Sequence, residues 1–158
     1  MPQTRTDAVI SKAQKTSPNN DCQPIRRCGG SRVRQALAAG LTWLEQHAEA
    51  INTLNVFPVP DGDTGTNMVL TLRAALGEAN GTKIDKVSDV VKAAAHGALM
   101  GARGNSGVIL SQLLRGIAHS LQEEEILTPE ALAEAFAVAR DMAYRGVMRP
   151  VEGTILTV

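Results

Sequence analysis

The chain has 158 residues, 44% of them hydrophobic, which suits one globular domain with a real core and excludes a disordered chain. Sixteen basic residues balance sixteen acidic ones, so no general attraction to nucleic acid or to an anionic membrane follows. The four aromatic residues (Trp43, Phe57, Phe136 and Tyr144) are too scattered to stack bases, and no run of about 18 apolar residues offers membrane insertion.

Residues 1–30 read as a disordered polar tail, rich in Thr, Ser, Asn, Gln and Pro and without sustained apolar periodicity. Arg5, Lys12, Lys15, Arg26 and Arg27 outweigh Asp7 and Asp21 there, a pattern shared by transit peptides and by simple extensions. Cys22 and Cys28 form no Cys-x-x-Cys, so neither a zinc site nor a disulfide scaffold is expected. With no signal-peptide core, the expected compartment is a reducing cytoplasm.

Residues 31–158 carry helical patterns. Ser31 is placed to cap a first helix with an apolar face of Val33, Leu37, Leu41, Leu44, Ala48 and Ile51. A loop over 52–65 follows, where Pro58 and Pro60 rule out a central strand. A second helix is expected from about Thr66 on Val69, Leu72, Leu76 and Ala79, ending at Asn80-Gly81. Ser88 opens a third, Ala-rich helix through Met100, whose small residues let backbones approach closely. A fourth runs from about Ser106 to Leu121 on Ile109, Leu113, Ile117 and Leu121. Thr128-Pro129-Glu130 starts a fifth, with a capping hydroxyl and then proline at the first helical position, on Leu132, Phe136, Ala139 and Ala143. Arg149-Pro150 breaks the pattern, and Gly153-Thr154 opens a further helix. No segment alternates with period two, so the expected class is all-α.

The chemistry concentrates in Asp61-Gly62-Asp63-Thr64-Gly65-Thr66-Asn67. Two carboxylates two residues apart in an extended loop project to one side, and hard cations such as Mg²⁺ prefer such oxygens. An Asp-Gly turn in solvent has the same residues, so spacing alone leaves both readings open. An EF-hand is excluded, because its sixth position would be Thr66 and its twelfth Leu72. Thr64 to Asn67 add hydroxyls, an amide and backbone N–H groups at a helix start, where an anion gains about 0.3–1 kcal/mol from the helix dipole. Thr66 capping its own helix competes for the same groups.

The second glycine-rich stretch, Gly101-Ala102-Arg103-Gly104-Asn105-Ser106-Gly107, lies between two helices and is neither a Walker A loop nor Gly-x-Gly-x-x-Gly after a strand. Alone it reads as a helix–loop–helix turn. Paired with the aspartate loop, it gives two helix N-termini able to converge on one polyphosphate, with Arg103 to neutralise charge. His47, His96 and His119 match no metal spacing and read as packing or surface residues, and Glu123-Glu124-Glu125 as a solvated helix end.

Three stretches in order, Leu54 to Met68, Gly97 to Gln112 and Pro150 to Val158, resemble the nucleotide-binding domain, of the DhaL or DAK2 type, of bacterial fatty-acid kinase. That domain is related to the L subunit of dihydroxyacetone kinase. The resemblance implies an antiparallel helical barrel, truncated here at its C-terminal end, with ATP bound through two Mg²⁺ ions. Asp61 and Asp63 would hold the metals, with Asn55 near the place of a third aspartate in the dihydroxyacetone kinase relatives. Thr64, Gly65, Thr66 and Asn67 would contact phosphates, and Asn105 and Ser106 match a second pair of ATP contacts, with Gly104 and Arg103 beside them. Gly146 and Ile155 fall where the family lines its nucleotide pocket. The implied reaction is phosphoryl transfer to a fatty acid presented by a separate lipid-binding partner protein. The alternatives are dihydroxyacetone (glycerone) kinase activity and a non-catalytic nucleotide-binding fragment. No general base is evident in the chain, and a homodimer stays open.

Overall fold

The computed structural model describes residues 27–56, 60–146 and 155. Within them the chain forms α1 (Gly30–Thr53), α2 (Thr64–Gly81), α3 (Val87–Met100), α4 (Gly104–Ser120) and α5 (Pro129–Gly146). The sole extended pairing among the described residues is an isolated bridge between Cys28 and Leu127, so the class is all-α. The residues before 27, the Phe57-Pro58-Val59 segment and the helix expected from Gly153-Thr154 lie outside the described residues.

Short connections make successive helices run antiparallel. The contacts confirm this. Gly65, at the start of α2, lies against Ala48 near the end of α1. Gly101, at the end of α3, meets Ala74 of α2, whereas Val90 at its start packs with Ala79. Gly146 at the end of α5 lies on Gln112 of α4, and Ala135 near its start packs with Leu121. Alternating directions therefore gather the N-termini of α2 and α4 at one end of the bundle. That geometry places the site.

The core is built largely from small side chains. One cluster joins Ala75 and Ala79 of α2 to Val90, Ala94 and Ala98 of α3. A second joins Val87, Val91, Leu121 and Ala135, and a third Leu41, Leu44 and Val69. Alanine at the crossings lets helix axes come close, as the Ala-rich third helix foretold, and Gly97 sits directly on the Ala74 carbonyl. α5 packs chiefly on α4, and its backbone makes no close approach to α1. Between α1 and α5 lies an apolar cavity of about 360 Å³, lined by Val33, Leu37, Leu114, Ile117 and Phe136 among others. Phe136, expected on a buried face, is 58% exposed because that side of α5 faces this opening.

Helix starts differ from the sequence expectation for identifiable reasons. α1 begins at Gly30 without a side-chain cap, because the Gly30 N–H donates to the Asp85 carbonyl at 3.0 Å. The residues just before it thus join the helical body, with the Cys28 N–H donating to Leu127 and the Leu127 N–H to Cys28. α3 begins one residue before Ser88, since the N–H groups of Val87 and Ser88 donate to the carbonyls of Glu125 and Glu124. The acidic run is therefore a capping turn for α3, made by its backbone. Thr128 does cap α5 as expected, accepting from the Ala131 N–H at 3.2 Å.

Candidate functional site: two helix N-termini and an aspartate loop

The loop after α1 carries the two aspartates around a sharp turn. Gly62 sits between them at φ +65°, a conformation that costs a β-carbon residue about 1 kcal/mol or more. Asp63 is the residue before α2, and its carbonyl accepts the Asn67 N–H at 2.8 Å. Its carboxylate caps nothing, which leaves those oxygens for another partner. Asp61 is exposed and accepts from Asn55 Nδ2 at 2.5 Å. Asn55, the residue read as a possible third ligand, thus orients one of the two carboxylates.

α2 starts at Thr64, two residues earlier than expected, because a side chain from another helix satisfies its first turn. Asn52, in the last turn of α1, accepts from the Gly65 N–H at 2.8 Å and the Thr66 N–H at 3.2 Å. Its Nδ2 donates to Thr66 Oγ1 at 3.0 Å. Thr66 therefore does not cap its own helix. Gly65 is buried, and a β-carbon there would lie 2.3 Å from the Ala48 carbonyl oxygen, so its place is set by the approach of α1. Its N–H is already committed to Asn52.

α4 is tied to this same end. Gly104 has φ +57°, and a β-carbon on it would lie 2.3 Å from Asn67 Nδ2. The Arg103 N–H donates to Thr71 Oγ1 at 3.2 Å, while the Thr71 hydroxyl donates to the Asn67 carbonyl at 2.8 Å. Thr71 is fully buried, and these two bonds account for its hydroxyl. Ser106 Oγ reaches Thr64 Oγ1 at 3.5 Å. The first-turn N–H groups of Gly104, Asn105 and Ser106 have no partner among the described residues, and α4 has no side-chain cap. Three orphan donors at a helix N-terminus form an anion-binding feature.

The structure thus brings Asn55, Asp61, Asp63, Thr64, Thr66, Asn67, Arg103, Gly104, Asn105 and Ser106 to one end of the bundle. Arg103 is exposed, and its guanidinium makes one long contact, 3.5 Å to the Ala102 carbonyl. Gly146 lies further along α4 against Gln112, and Ile155 is half-buried. Neither is joined to the aspartate loop by any described contact. Sequence reasoning missed Asn52 and Thr71. Asn52 carried no signal, because its partner lies thirteen residues on. Thr71 carried a faint one, a polar residue on the apolar stripe between Val69 and Leu72.

The donor chemistry fits a magnesium ion bridged by a nucleotide. No group of three or more His, Cys, Asp or Glu side chains able to hold a metal exists among the described residues, so a cage made by protein alone is not what they build. Magnesium is commonly held by one or two carboxylates together with substrate phosphates and water. Two aspartates beside orphan N–H groups supply that combination. No helix of the described residues is long and apolar enough to cross a membrane.

The family described as "DAK2 domain" matches residues 58–158. The chain is 48% identical over 134 residues to Protein YloV of Bacillus subtilis strain 168, a match covering 85% of this chain and 24% of that relative. It is 44% identical, over the same length and shares, to uncharacterized proteins of Staphylococcus saprophyticus and Staphylococcus epidermidis. The chain spans about a quarter of the length of these curated relatives.

Proposed function

Since the chain belongs to the DAK2 domain family, whose kinase-related domains bind ADP or ATP, we propose that it is the Mg·ATP-binding domain of a phosphotransferase acting on a fatty acid. The acceptor is presented by a separate lipid-binding protein. The observation that carries the reading is the convergence of the Asp61–Asp63 loop with the uncapped N-terminus of α4, through Ser106 and Thr64.

Asp61 and Asp63 hold the magnesium ions, with Asn55 steadying the Asp61 carboxylate. Bound there, magnesium neutralises phosphate charge and polarises the transferring phosphoryl group. The N–H groups of Gly104, Asn105 and Ser106 and the positive end of α4 bind phosphate oxygens. Arg103, exposed and in no ion pair among the described residues, adds a cation at the same end. Phosphoryl transfer depends on positioning and charge neutralisation far more than on covalent catalysis, so a chain offering only metal ligands, N–H donors and a cation has the parts required. The reacting group of the acceptor enters with the partner.

Calorimetry with ATP and Mg²⁺ tests binding by this chain, and acyl-phosphate formation by the full-length protein with its lipid-binding partner tests the reaction. Magnesium-dependent ATP binding and fatty-acid phosphorylation are expected. Phosphorylation of dihydroxyacetone in place of a fatty acid moves the function to the sugar branch. Binding without turnover in the full-length protein makes it a regulatory module, and absence of binding rejects the reading.

A further inference from the structure

We infer that Thr71 is a positioning residue for the phosphate cradle: its hydroxyl holds the backbone of Arg103 and so aims the three N–H groups that open α4. The inference rests on the Mg·ATP reading above and adds to it a residue buried too deeply to reach a ligand itself.

Thr71 is fully buried on α2, where valine would fill nearly the same space with no polar atom to desolvate. Its two bonds give the hydroxyl a purpose. The Arg103 N–H can only donate, so Thr71 Oγ1 accepts from it at 3.2 Å. The single hydroxyl proton then goes to the Asn67 carbonyl at 2.8 Å.

Arg103 is the residue from which α4 departs. Its backbone is extended at φ −126° and ψ 133°, and its carbonyl accepts the Gly107 N–H at 2.9 Å to close the first turn. Gly107 lies against the same hydroxyl, since a β-carbon on it would be 2.4 Å from Thr71 Oγ1. Thr71 thus meets both ends of the turn that carries Gly104, Asn105 and Ser106. Other ties are weak. Among the described residues no backbone hydrogen bond joins α2 to residues 101–107. The one further side-chain bond between α2 and this turn, Ser106 Oγ to Thr64 Oγ1, is 3.5 Å long and beyond the usual hydroxyl range. Hydrogen bonds weaken steeply with misalignment, so a turn released from Thr71 should grip phosphate poorly even in a folded chain.

Four variants separate aim from stability, with Tm and calorimetric Mg·ATP affinity measured on each. Thr71→Val keeps the shape and loses both bonds, Thr71→Ser keeps both bonds and loses a buried methyl group, and Thr71→Ala loses both features. Thr128→Ala removes a cap from α5, away from this turn. All four should lower Tm. Affinity should fall about tenfold or more in the valine and alanine variants, the scale of one hydrogen bond to a charged group, and stay close to wild type in the serine and Thr128 variants. If Thr71→Val does not fold, the serine and alanine variants, which differ only by the hydroxyl, decide alone. Affinity that follows Tm across the variants, or stays unchanged when the hydroxyl is removed, overturns the inference and leaves the Mg·ATP reading standing. Failure of the wild-type chain to bind Mg·ATP overturns both.

Discussion

The most demanding consequence of the packing concerns Gly65→Ala, because two opposing effects act and the structure says which wins. Gly65 lies in the first turn of α2, where alanine is the better helix former by about 1 kcal/mol. A β-carbon there would sit 2.3 Å from the Ala48 carbonyl oxygen and 2.9 Å from its carbonyl carbon. Both are backbone atoms, so no side chain can swing aside. Non-bonded contacts settle near about 3.5 Å, so the ends of α1 and α2 must part by roughly 1 Å, an overpacking cost of about 1–3 kcal/mol. The same movement stretches the bonds from Gly65 and Thr66 to Asn52, worth about 1 kcal/mol more. The net expectation is a destabilisation of about 1–3 kcal/mol. Gly77→Ala on the same helix is the internal control, since nothing lies within 4 Å of its β-carbon. It should stabilise by about 0.5–1 kcal/mol. Urea unfolding of the two variants measures both, and each kcal/mol moves Tm by about 2–4 °C in a chain of this size. If Gly65→Ala matches Gly77→Ala, the close approach of α1 and α2 is wrong, and with it the platform for the aspartate loop.

Asp63→Asn should abolish the magnesium dependence of ATP binding measured by calorimetry while leaving Tm within about 1 °C, because its carboxylate caps nothing and surface changes of this kind are nearly neutral. Thr128→Ala should lower stability by about 0.5–2 kcal/mol in denaturant unfolding, through loss of the bond from the Ala131 N–H. Lys86 and Glu125 form an exposed ion pair that raises the lysine pKa and lowers that of the glutamate, mainly through the side-chain hydrogen bond between them. A lowered glutamate pKa contributes stability above its unfolded value that is lost as pH falls through the folded value. The raised lysine pKa contributes stability that is lost as pH rises through its folded value. Glu125→Gln should therefore flatten both ends of the stability–pH curve slightly, and the difference should shrink in high salt.

What the sequence made legible follows from what periodicity encodes. Apolar spacing located all five described helices, because each must turn a stripe such as Val69, Leu72 and Leu76 towards neighbours. The aspartate loop and the Gly104–Ser106 turn were also readable, since special backbone conformations and paired carboxylates leave marks in composition. Partners distant in sequence were not. Asn52 capping α2, Glu124 and Glu125 capping α3 and Thr71 tying Arg103 to Asn67 are tertiary contacts made by ordinary residues. The opening between α1 and α5, which leaves Phe136 exposed, was hidden for the same reason. A helical stripe says that a face seeks cover and not whether a described neighbour supplies it.

The central claim, that the α4 N-terminus cradles a phosphate beside the aspartate loop, is tested most directly by amide NMR during titration with Mg·ATP. Large chemical-shift changes at the N–H groups of Gly104, Asn105 and Ser106, with little change at Val87 and Leu121 near the far end of the bundle, are the predicted result. Unmoved resonances at those three glycine-turn residues under saturating nucleotide would contradict it.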